Sequence, residues 1–217
     1  MTVGLATASS ALARIRPGIE AGVNVSTLDY FHEDALRDLS IFWDNGWRPS
    51  FTGGAVVEFP IGGRFACTTG LRYVQQGNKV EVAVTTLPRV EGEFRIMQNY
   101  LAVPVLLEFH QLAASGFFLS VGPEVGFLLS GRVKSEQAVF GLGVPPTHIE
   151  ESRDISNELE DVNVTIDGGA GVAFPLYSHV GIVQLRYSHG VTSPAKKDHW
   201  ATDWSTQGIE FLAGMRW

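Results

Sequence analysis

Cysteine is nearly absent from this chain of 217 residues, where Cys67 stands alone. That excludes a disulfide framework and a cysteine-rich zinc site. Basic residues are scarce, 16 against 23 acids for a net charge of −7, which leaves no electrostatic footprint for nucleic-acid phosphates. Charged residues of both signs make up only 18%, below the roughly 25% usual in soluble domains. Long hydrophobic runs are missing too. The longest, Leu101 to Leu107, is interrupted by Pro104 and falls far short of the ~18 residues a transmembrane helix requires. A helical membrane protein is excluded.

Glycine, by contrast, is abundant at 24 residues, and mean hydropathy sits near zero at +0.08. The length suits a single domain with an ample core. Residues 1–15 stand apart. Met1 to Ala13 are small and apolar and close on Ala11-Leu12-Ala13 before Arg14. This resembles the apolar region and cleavage site of a secretory signal, although no basic residue precedes it. Residues 1–15 are therefore expected to be an export-signal remnant or an unstructured N-terminus, with residues 16–217 forming one domain.

Along that domain, helical periodicity is rare and period-2 alternation recurs in eight runs. Their apolar faces carry Ile19 to Val25, Phe51 to Phe59, Phe65 to Tyr73, Leu101 to Phe109, Phe117 to Leu129, Val164 to Phe174, Val183 to Tyr187 and Ile209 to Trp217. None of these faces holds a charge. The opposite faces are small and polar, rich in Gly, Ser, Thr and Asn. They hold Glu20, Glu58, Arg72, Glu108, Glu124, Asp167, Arg186, Glu210 and Arg216. A soluble barrel such as a lipocalin would turn its apolar face inward. A wide, charge-free apolar face against a small polar one describes the reverse, apolar to lipid and polar to the lumen.

Connections agree. Pro60 to Arg64, His110 to Ser115 and Pro175 to His179 are short; Ser26 to Arg48, Gly77 to Glu93, Gly131 to Asp161 and Gly190 to Ser205 are long. Short turns at one rim and long loops at the other mark an outer-membrane barrel. The expected fold is all-β: an eight-stranded antiparallel up-and-down transmembrane β-barrel with short periplasmic turns and long extracellular loops. Both termini fall at the periplasmic rim, with Trp217 at the interface.

The segments GIEAGVNVSTL, FTGGAVVEFPI, CTTGLRYVQQGNK, QNYLAVPVLLEF, FFLSVGPEVGFLLSG, LRYSHGVTS and IEFLAGMRW, in this order, resemble the PorT-like outer-membrane β-barrel family of Bacteroidota and relatives. The resemblance runs over nearly the whole chain after Arg16. It implies an eight-stranded barrel in the bacterial outer membrane. The founding member is associated with protein secretion and gliding; no catalytic or binding residues define the family, so that role does not transfer.

Counted from the periplasmic end, Arg72, Glu124, Asp167, Arg186 and Glu210 fall at one mid-depth layer, with Arg186 between Asp167 and Glu210. Glu20 and Arg216 are expected together near the rim, on strands that closure makes adjacent. An eight-stranded barrel is just wide enough for side chains to fill it, so this network reads as an ion-paired plug, with a gated ion or solute path as the alternative. Loop aromatics form a second group: Tyr30, Phe31, Phe42, Trp43 and Trp47 in the first long loop, Trp200 and Trp204 in the fourth. They read as an interfacial girdle, with a short amphipathic helix near Glu33 to Phe42, or as a partner-binding surface. The third loop carries Glu136, Glu150, Glu151, Asp154, Glu158, Glu160 and Asp161 and reads as solvated and mobile.

Ser188 and His189 are the one tempting nucleophile–base pair, but neighbours on a strand point to opposite faces. Asp198, His199 and Asp203 lack diagnostic metal spacing. No catalytic residue, cofactor or metal is assigned. The expected protein is a non-enzymatic barrel, a monomer or a component of an envelope complex, with a structural or partner-binding role. Lipopolysaccharide and phospholipid surround it, and an envelope protein is its potential partner. A narrow channel or small-solute transporter, a secretion-machinery accessory and a lipid-modifying enzyme are the alternatives.

Overall fold

The computed structural model describes residues 15–30, 41–84, 89–110, 116–140, 147–196 and 204–217. Nine strands are described: β1 (Arg16–Tyr30), β2 (Ile41–Gly62), β3 (Phe65–Val84), β4 (Arg89–His110), β5 (Phe117–Phe140), β6 (Thr147–Asp154), β7 (Val162–Leu176), β8 (His179–Gly190) and β9 (Trp204–Arg216). Eight close a ring in the order β1, β2, β3, β4, β5, β7, β8, β9, all neighbours antiparallel. β9 returns to β1, Gly18 facing Arg216 and Tyr30 facing Trp204. Within the ring, closure removes the free edges that an open sheet would expose; β6 pairs with β5 outside it.

The alternation lands as an inside-out barrel. Ile19, Phe51, Leu71, Val121, Phe127, Leu185 and Phe211 are exposed on the outer surface, while Glu20, Arg72, Glu124, Asp167, Arg186 and Glu210 are buried. Burying charges while exposing large apolar side chains would be ruinous in water. In lipid it is the favourable arrangement. The periplasmic turns are tight: Gly63 adopts φ +59 between β2 and β3, and Tyr177 adopts φ 55 between β7 and β8.

The extracellular side departs from the expected loops. β2, β3, β4 and β5 run for 22, 20, 22 and 24 residues, about twice the 9–11 that cross a bilayer. Much of the first, second and third expected loops is therefore strand. The inner half of β5 (Phe117 to Phe127) pairs with β7, and its outer half (Arg132 to Val139) pairs with β6. This builds a tall extracellular wall of β2 to β6 beside a lower wall of β7, β8, β9 and β1.

The third loop was expected to be solvated, but its end is packed. After β6, a short turn of 3-10 helix, Ser156–Glu158, sets Ile155 and Leu159 against Leu28, Ile96, Ala195 and Trp204. All six are buried, with Leu128 and Val133 alongside. An acidic loop folds back because two apolar residues within it have an apolar mouth to cover. Residues 1–14 of the segment expected to be an export-signal remnant or an unstructured N-terminus, Phe31, the expected helix from Glu33 to residue 40, and Asp198, His199, Trp200 and Asp203 lie outside the described residues.

Candidate functional site

Side chains from seven strands meet in the lumen. Arg72, fully buried on β3, reaches Glu20 of β1 at 2.9 Å, Glu124 of β5 at 2.7 Å and Glu210 of β9 at 2.7 Å. It also donates to Thr52 of β2 at 2.9 Å. Arg186 of β8 lies 3.5 Å from both Glu20 and Glu210. Asp167 of β7 accepts from Thr165 at 2.9 Å and from Ser188, its cross-strand partner. Thus Arg186 faces Glu210 as expected and interacts electrostatically with Asp167, and it also reaches Glu20.

A second cluster sits nearer the periplasm. Arg216 of β9 donates to Glu108 of β4 at 2.8 and 2.9 Å and to Glu58 of β2. Thr68 donates to Glu108 at 2.8 Å, and Arg16 joins Glu58 at 3.1 Å. The expected Glu20–Arg216 pair is thereby corrected. The register sets Gly18, not Glu20, opposite Arg216, so Glu20 lies two residues deeper and joins the middle layer. Glu58 and Glu108 were visible as polar-face acids, but counting from strand ends gave no sign that Arg216 would select them.

Glu58, Glu108 and His110 bring three potential ligand atoms within 4.8 Å of one another. Arg216 already supplies positive charge between the two carboxylates, so this group is an ion-pair cluster rather than a metal centre. Ser188 lines the lumen and His189 lines the outer rim, which separates the one tempting nucleophile–base pair across the barrel wall.

The loop aromatics divide. Trp47 is exposed on β2, whereas Trp204 is only 3% exposed within the apolar mouth. Trp204 is therefore corrected from partner-facing to packing residue, because even-numbered positions of β9 point inward. Tyr30, Phe42 and Trp43 belong to β1 and β2 rather than to a loop.

On the tall wall, register gathers like charges. Glu81, Glu93, Glu136 and Glu150 face one another in sequence across β3, β4, β5 and β6, and Lys79, Arg95 and Lys134 form a second row closer to the membrane. Ion pairs along and across the strands tie the rows together: Lys79 to Glu81 at 2.9 Å and Arg95 to Glu93 within a strand, Lys79 to Glu93 at 2.8 Å and Arg95 to Glu136 at 3.6 Å between strands. The Lys79 hydrogen bond holds the Glu93 carboxyl below its ordinary range.

At the end of β6 the Ser156 N–H donates to Asp154 at 2.8 Å, and this backbone bond holds Asp154 below its ordinary value of 3.8. A depressed carboxyl contributes its stabilisation above the unfolded value and loses it as pH falls through the folded one. Hydrogen-exchange protection of the Ser156 amide should therefore survive to below pH 3.8 and then fade. Fading already near pH 6 would contradict the capping role.

The sequence matches the family described as outer membrane protein beta-barrel domain over residues 7–194. No curated protein matches it. Among solved structures it is similar to Ail, the attachment invasion locus protein of Yersinia pestis, at 14% identity and TM-score 0.37, covering 93% of this chain and 98% of that one. Neisserial surface protein A is similar at 10% identity and TM-score 0.39, covering 92% and 95%. OprG from Pseudomonas aeruginosa is similar at 10% identity and TM-score 0.38, covering 93% and 95%.

Proposed function

The chain belongs to the outer membrane protein beta-barrel domain family, and on that premise we propose that it is a closed barrel whose tall extracellular wall binds an envelope protein. Its location is the bacterial outer membrane. The observation that carries the reading is the row Glu81, Glu93, Glu136 and Glu150. Like charges directly opposite across a sheet reduce stability; Lys79 and Arg95 offset part of that cost at Glu81, Glu93 and Glu136, and the row remains an acidic strip on the wall. A partner presenting a basic strip would complement it.

Two further features support a closed lumen. The arginine layer fills the mid-section, and the apolar mouth around Trp204 and Leu159 covers its outer end. No catalytic role is assigned, since Ser188 and His189 face opposite sides of the wall. Lipopolysaccharide and phospholipid surround the outward apolar band, and the order of the sequence segments, which resembles that of the PorT-like outer-membrane barrels, supports reading the chain as one of that kind.

The test is recovery of cross-linked partners in mild detergent from cells carrying either the wild type or a variant with Glu81, Glu93, Glu136 and Glu150 all changed to Gln. A defined envelope protein should accompany the wild type and be lost from the variant, whose folding is checked by the heat-modifiable gel shift because Lys79 and Arg95 lose their ion pairs. Identical recovery from both would remove the wall from consideration. Planar-bilayer recording on the purified barrel should show no stable conductance at neutral pH. Persistent single-channel steps would instead favour the narrow-channel reading.

A further inference from the structure

β6 lies outside the ring and is paired on one side only. Its ladder to β5 runs from Thr147 to Asp154, and among the described residues its other side carries no backbone hydrogen bond. One contact fixes the phase of that ladder: the Ile155 N–H donates to the Gly131 carbonyl at 3.0 Å. In an antiparallel pair, residues that bond across alternate with residues whose N–H and C=O point away. Ile155, Arg153, Glu151 and Ile149 therefore turn their backbone groups to β5. Asp154, Ser152, Glu150 and His148 turn theirs to the open side. Residues 148–154 are all exposed, and the strand contains no proline, glycine or bulge to blunt that side. An edge of this kind is a template for one more strand.

Charge selects the strand. β6 holds Glu150, Glu151 and Asp154 against one base, Arg153, which already donates to Glu158 at 3.1 Å. Glu150 ends the row that begins at Glu81, so the position opposite it on an added strand is the next place in an acidic row. A second copy of this chain fits poorly there. Of the two longest antiparallel self-pairings that keep the phase, one covers residues 147–153 and sets Glu150 against Glu150. The other covers residues 148–154 and sets Glu151 against Glu151. A parallel self-pairing about a two-fold axis sets every residue opposite itself, with both clashes at once. Like charges directly opposed are destabilising. A basic side chain at that place removes the conflict.

We infer that the free side of β6 accepts an extended segment of a partner protein as an added strand, with a lysine or arginine opposite Glu150. The segment's main chain bonds to the N–H and C=O groups of Glu150 and Ser152, and its basic side chain continues the row on the same face. This rests on the reading of the tall wall as a partner-binding surface and gives that surface a binding mode.

The experiment uses the full barrel in lipid nanodiscs and, as probe, a short end-blocked peptide of alternating lysine and valine. Binding is read by fluorescence anisotropy, and amide hydrogen exchange by NMR. With the peptide at about ten times its dissociation constant, exchange at Glu150 and Ser152 should slow by about tenfold. Ile149 and Glu151, already bonded to β5, should change little. A peptide of alternating glutamate and valine should leave all these amides unchanged. Ser152→Pro removes an N–H from the free side and none from the ladder to β5. It should weaken binding of the lysine peptide by about tenfold, while the heat-modifiable gel shift stays that of the wild type. A lysine peptide that does not bind, or that binds without slowing Glu150 and Ser152, overturns strand addition. Slowing that grows with barrel concentration in the absence of peptide assigns the edge to a second copy and overturns it too. The wall reading fails by a different result, equal recovery of the envelope protein from the wild type and the glutamine variant.

Discussion

Replacing Arg72 by methionine should destabilise the barrel by about 3–5 kcal/mol, because it strands buried carboxylates that have lost their common partner. Arg72 is fully buried and lies within 2.9 Å of Glu20, and 2.7 Å from both Glu124 and Glu210. No water can replace the guanidinium at all three contacts. The side chain is also the geometric hub of its layer, joining β3 to β1, β5 and β9, so its loss weakens closure on several sides. Urea unfolding in lipid vesicles measures the effect.

Two companion changes separate charge from packing. Arg16→Met removes a cation whose side chain is 48% exposed and pairs with Glu58, and should cost no more than about 1 kcal/mol. Adding Glu124→Gln and Glu210→Gln to Arg72→Met should recover part of the lost stability, since neutral amides can be buried with less penalty. An Arg72→Met barrel as stable as the wild type would mean that the carboxylates need no counter-charge, and the ion-pair account of the lumen would fall.

The second large effect concerns the opposite face. Leu185→Arg places a charge halfway along β8, on the outward side between Val183 and Tyr187. In a bilayer this should cost about 2–4 kcal/mol. The same change on an exposed position of a soluble barrel would fall within about ±0.5 kcal/mol. The comparison is made by unfolding the variant from vesicles and again from detergent, where the charged tip finds water more easily. A small effect in both would mean that this face does not meet lipid, contrary to the orientation derived from alternation.

The sequence by itself determined which residues face which way. Alternation has a period of 2 and needs only local order, so Phe51, Val121, Leu185 and Phe211 could be assigned to one surface and Arg72, Glu124 and Arg186 to the other without knowing a single contact. The eight strands of the ring, the short periplasmic turns and the absence of charge from the lipid face follow from the same pattern; β6, inside the third expected loop, does not. Excluding transmembrane helices and inferring a membrane barrel were compatible because hydropathy averages over two unlike faces.

Partners were decided only by tertiary structure. Which acid meets which arginine depends on the register between strands that are distant in sequence, such as β9 with β1. An offset of two residues moved Glu20 from Arg216 to Arg72 and left Arg216 to Glu58 and Glu108. The tall wall was hidden because its strands lose clean alternation once they leave lipid: with water on both sides, no solvent difference enforces it. Ile155, Leu159 and Trp204 looked like loop residues for the same reason. Their burial depends on a mouth assembled from β1, β4 and β9, and that mouth exists only once the ring has closed.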